Sequence, residues 1–66
     1  MPKPDFTVDD HGTIFLVTPI TTLAREWVEQ HLFLEGWQWL GGGFAVEHRF
    51  VAGLVEGMVG DGLKVA

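Results

Sequence analysis

Ile14, Phe15, Leu16 and Val17 form one unbroken apolar run, closed by Thr18 and Pro19. A run of this kind, rich in β-branched and aromatic side chains, suits a strand covered on both faces. A strand that alternates between core and water would read differently. Ahead of it, Asp9, Asp10, His11 and Gly12 are turn residues, and Gly12 is able to take a positive φ. Phe6 and Val8 alternate with Thr7 in a second strand pattern. We expect a β-hairpin, ended by Pro19.

The chain offers little material to cover such a strand. Its 66 residues make one domain, 1–66, because a second core cannot be buried at this length. The Pro-Lys-Pro-Asp lead-in reads as frayed over residues 1–5. There is no cysteine, so disulfides, thiolate metal sites and a thiol nucleophile are excluded together. The composition is 47% hydrophobic, with Trp27, Trp37 and Trp39. That is more apolar surface than one small core absorbs, and the surplus points to an interaction patch. A two-fold homodimer is the simplest way to cover it.

After Pro19, Thr21 or Thr22 offers a helix N-cap. Leu23, Ala24, Trp27, Val28, His31 and Leu32 follow at helical spacing on one stripe, and Glu35 with Gly36 reads as the helix stop. Trp37, Gln38 and Trp39 read as extended, as do Phe44, Ala45, Val46 and Glu47. The glycines at 41–43 form a turn or bulge between them. From about Arg49, Phe50, Val51, Leu54, Val55, Met58 and Val59 make one apolar helix face. Asp61 and Gly62 cap it, and Leu63, Lys64 and Val65 fold back onto the core. The expected fold is α+β: a two-layer ββαβα, or ββαββα if the glycines turn a second hairpin, with two helices packed on a small antiparallel sheet.

Within the second helix, Gly53 and Gly57 lie four apart. Each internal glycine costs about 0.5–1 kcal/mol relative to alanine, a cost usually offset by close backbone approach. The favoured reading is that this helix lies tightly on the sheet. The sharper reading is that its small face crosses a second copy.

The chemistry is narrowed by what is missing. The formal net charge is −5, with only Lys3, Arg25, Arg49 and Lys64 positive, so nucleic-acid binding and an anionic membrane surface are disfavoured. Serine, asparagine and tyrosine are absent along with cysteine, which leaves histidine and carboxylates for any acid–base or metal chemistry. His11 belongs to the polar hairpin turn. His31 reads as a core-edge residue with one nitrogen on water or on the last helical carbonyls. Glu47, His48 and Arg49 stand where a strand hands over to a helix and are the candidate ligand site. Alternation places His48 with Phe44 and Val46, and an ion pair between Glu47 and Arg49 is favoured over a catalytic dyad. The glycines at 41–43 lack the helix that phosphate binding needs directly after them.

"GTIFLVTPITTLAREWVEQHL" followed by "GGGFAVEHRFVAGLVEGMVGDGLKV" resembles short proteins of bacterial and prophage genomes. The distinctive features are Gly12, the Thr-Pro before the helix, Ala24-Arg25-Glu26-Trp27, Glu47 with Arg49, and Asp61-Gly62-Leu63. These proteins have no established activity, so the resemblance implies a bacterial or prophage setting and assigns no catalytic residue.

We therefore expect a small acidic, non-enzymatic protein-interaction module, homodimeric, with no cofactor and no metal. Its surface would involve Trp37, Trp39, Gly53 and Gly57. A second reading is a small-ligand or metal-binding domain using Glu47, His48 and Arg49. A third is a phage-associated acidic inhibitor of a host protein. With neither a secretory signal nor an apolar run near the ~20 residues of a membrane span, a cytoplasmic location is expected.

Overall fold

The computed structural model describes residues 3–32 and 38–66. Its elements run β1 (Phe6–Asp10), β2 (Ile14–Pro19), α1 (Thr22–His31), β3 (Trp39–Leu40), β4 (Gly43–Glu47) and α2 (His48–Gly60). The strands form one antiparallel sheet in the order β1-β2-β4-β3. This is the α+β fold in its ββαββα form. The glycines do turn a second hairpin, with a positive φ of 66° at Gly41, the first of two turn residues, as a type II′ turn requires.

The register sorts the strand residues into two faces, since cross-strand partners share a side. Val8 pairs with Val17, Val17 with Phe44, and Phe15 with Val46. This inner row carries the core. Phe6, Val17, Phe44, Ala24, Trp27, Val28, Met58 and Leu63 form one buried cluster, so both helices pack on the same side of the sheet. Phe6 meets the Trp27 ring edge-on at 6.0 Å. The outer row reads Thr7 and Thr18, Asp9, Leu16 and Ala45, then Ile14 and Glu47, with Leu40 opposite Gly43. Among the described residues, neither helix buries a side chain against that row.

Gly43 belongs to the outer row and has no space for a side chain. A Cβ there would stand 2.7 Å from Thr18 Oγ1 and 2.9 Å from the Val17 carbonyl oxygen. The Thr18 side chain could rotate away, but the Val17 carbonyl is held in the sheet.

Asp5 and the C-terminal tail are built into the fold. Asp5, read as part of a frayed lead-in, accepts hydrogen bonds from the Thr21 hydroxyl (2.7 Å) and the Lys64 amide (2.9 Å). The same hydroxyl accepts from the Ala24 amide as the N-cap of α1. One carboxylate thus joins the start of β1, the start of α1 and the C-terminal tail. The tail runs parallel to β1 beside it, with Val65 opposite Phe6. The Phe6 amide donates to the Lys64 carbonyl, and the Ala66 amide donates to the Phe6 carbonyl.

Helix α2 ends in a Schellman motif: the Leu63 amide reaches the Met58 carbonyl and the Gly62 amide reaches that of Val59. Gly62 has φ 86°, and Leu63 is delivered into the core against the same cluster as Met58. Helix α1 stops earlier than its apolar spacing suggests. It closes at His31, and Leu32 turns extended (φ −122°, ψ 140°) to pack against the core. The stop expected at Glu35 and Gly36 lies outside the described residues, as does the extended reading of Trp37. The strand before the glycines is only Trp39–Leu40, with Gln38 outside it.

The amide of Lys64 and the hydroxyl of Thr21, in that order, hold the Asp5 carboxyl below its ordinary value of 3.8. A carboxyl depressed in the folded state stabilises the fold fully above its unfolded value, and the benefit fades as pH falls through the folded one. Asp5→Asn is therefore expected to melt below the wild type at pH 7. The gap should close as thermal melts are repeated from about pH 5 downward, with most of the loss below about pH 4. In urea titrations, Gly43→Ala should cost about 1–3 kcal/mol through its clash with strand backbone. Gly53→Ala should add about 0.5–1 kcal/mol, since a methyl there meets nothing within 4 Å.

Candidate functional site

β3 pairs with β4 only at Gly43 and Phe44. Along residues 45–47, no described strand pairs with the outer edge of β4. A cavity of about 600 Å³ wraps this edge. On the inner side it is bounded by Leu32 at the end of α1, by Phe44 and Val46, and by Phe50 and Leu54 of α2. It continues round β4 to Ala45 and Ile14 on the outer face, with Gln38 and Glu47 as its polar lining. The two helices lie close where Gly57 faces Trp27, with a Cβ position 3.8 Å from Trp27 Cζ2. Gly53, four residues earlier on α2, lines the cavity.

Glu47, His48 and Arg49 do not converge. Arg49 Nε donates to Glu47 Oε2 at 3.1 Å in an exposed pair, and its guanidinium lies over the Phe50 ring at 4.8 Å. His48 follows the inner row, as alternation implies, and its ring packs on Phe15 with centroids 5.1 Å apart. Only Glu47 of the three lines the cavity. Among the described residues no group of three or more histidines and carboxylates is placed to hold a metal ion. The ion pair is the arrangement present.

A different polar cluster joins the helix ends. Trp27 Nε1 donates to Asp61 Oδ2 at 2.7 Å, and His31 Nε2 lies 3.6 Å from the same oxygen. The His31 ring stacks on Trp27 at 4.6 Å, with Nδ1 at 2.9 Å from the Trp27 carbonyl. These contacts fasten the last turn of α1 to the cap of α2. Sequence reasoning found each residue but not the link, because Asp61 reads only as a cap 34 positions away.

Of the residues expected at an interaction surface, Trp39 is 38% exposed and meets Phe44 edge-on at 5.5 Å. Trp37 lies outside the described residues. Gly53 and Gly57 are exposed and both have room for a methyl. Close approach of α2 to the sheet is thus not what their lack of side chains serves. Gly57 faces α1 instead.

Comparison of the chain with models of protein families, with curated proteins and with solved structures finds no match. Among the described residues no helix is long and apolar enough to cross a membrane.

Because the Glu47–Arg49 pair is exposed, Arg49→Ala should change stability by less than about 0.5 kcal/mol. Asp61→Ala leaves the part-buried Trp27 Nε1 without its acceptor and should cost about 1–2 kcal/mol. Urea unfolding followed by tryptophan fluorescence measures both.

Proposed function

We propose that this chain is a small non-enzymatic interaction module that works through apolar contacts and associates with itself. The observation that supports this reading is apolar surface in excess of one core. Leu23, Leu40, Phe50 and Val59 are each at least 50% exposed, in a chain whose net charge of −5 keeps it in solution. Large apolar side chains left at the surface in this number mark contact regions, and two-fold pairing is the commonest way to use them. Sedimentation equilibrium tests it. The apparent mass should rise from one 7.3 kDa chain toward twice that value as concentration approaches the millimolar range. A constant single-chain mass contradicts self-association.

The cavity at the β4 edge favours a second reading, a binding site for a small apolar ligand, because pockets of this size with few polar groups hold such molecules. Under this reading, an apolar fluorescent probe binds at one site per chain. Gly53→Trp, which fills the cavity, should abolish that binding. Probe affinity left intact by Gly53→Trp removes the reading.

A further inference from the structure

We propose that the outer face of the sheet is the seat of a second copy of this chain, stacked face to face and antiparallel. The proposal rests on the self-association reading and names its surface. Its basis is the central strand. In a sheet with helices on one face only, the opposite row is ordinarily polar. Here β2 turns Ile14, Leu16 and Thr18 outward, and its neighbour β4 turns Gly43 and Ala45. Leu40 on β3 extends the row and is 50% exposed. Thr18 lies over Gly43, where no Cβ fits. The middle of the face is therefore low and apolar, a shape that another sheet can lie against.

The size of the face fits a second copy. The tail beside β1 supplies a fifth row next to the four strands. Three full strands, the two-residue β3 and the short tail row, about 4.8 Å apart with about 3.3 Å per residue, give a footprint of roughly 330 Å² per copy. Side-chain relief brings the accessible surface covered by a pair to the order of 1,000 Å², the lower bound of a specific interface. A weak, concentration-dependent pair follows from that area.

Charge selects the orientation. On the outer row Asp9 stands opposite Leu16 and Glu47 opposite Ile14, at the same end of the sheet, with Arg49 drawn to Glu47. Lys64 lies at the other end, beside the start of β1. Val65 packs against the core, so alternation turns Lys64 outward. A two-fold axis along the strands would set Asp9 and Glu47 of one copy at the same end as those of the other. An axis across the strands sets Lys64 of each copy against the acidic end of the other, which like-charge repulsion favours.

The test compares sedimentation equilibrium of the wild type with Leu16→Lys, Ala45→Lys and Ala52→Lys, each checked by circular dichroism for the native fold. Leu16→Lys and Ala45→Lys should move the monomer–dimer midpoint at least tenfold to higher concentration. Ala52→Lys, on an exposed part of α2, should leave it in place. Asp9→Lys should weaken the pair, and Asp9→Lys with Lys64→Glu should restore it. If the wild type stays monomeric, self-association and this seat both fall. If the wild type pairs but Leu16→Lys and Ala45→Lys pair equally well, the outer face is excluded and self-association stands. An Asp9→Lys variant that pairs as tightly as the wild type excludes the antiparallel arrangement.

Discussion

Everything in this structure depends on the side of the sheet that the helices cover. Trp27 from α1 and Met58 from α2 enter the same cluster as Phe6, Val17 and Phe44, and no second cluster forms among the described residues. A chain of 66 residues has material for one such layer. Strand β2 is nevertheless apolar on both of its faces. The fold resolves the inner demand completely and leaves the outer one to the surface.

With so thin a core, the chain ends carry structural weight. Asp5 draws together the first strand, the first helix cap and the tail, and the tail then adds a row to the sheet. This also shields the outer edge of β1, one of the two edges through which a sheet can pair with another chain. At the far end of α2, the Schellman cap turns Leu63 inward, and Asp61 reaches across to Trp27. The two helices are held together through these contacts.

Local chemistry made much of this legible in the sequence. Turn residues marked the first hairpin, the run from Ile14 to Val17 marked a strand with two apolar faces, and Asp61 with Gly62 marked the helix cap. Illegible were the links between distant positions. Nothing near Asp5 announces that its partners are Thr21 and Lys64, since a hydrogen bond across the fold leaves no spacing pattern in the chain. The end of α1 was missed because Leu32 keeps helical spacing while its backbone turns extended. The candidate site was legible only in part. The Glu47–Arg49 pair and the direction of His48 follow from alternation. The cavity depends on how far β3 extends along β4, which composition does not encode.

The unsatisfied outer row of β2 unites these observations with a functional reading in which contact between chains completes the core. The most direct measurement is methyl NMR with a soluble paramagnetic agent, recorded at low and high protein concentration. Progressive shielding of the Ile14 and Leu16 methyls at high concentration, with the Ala52 methyl equally accessible throughout, is the expected result. Broadening of Ile14 and Leu16 that is independent of concentration would contradict it.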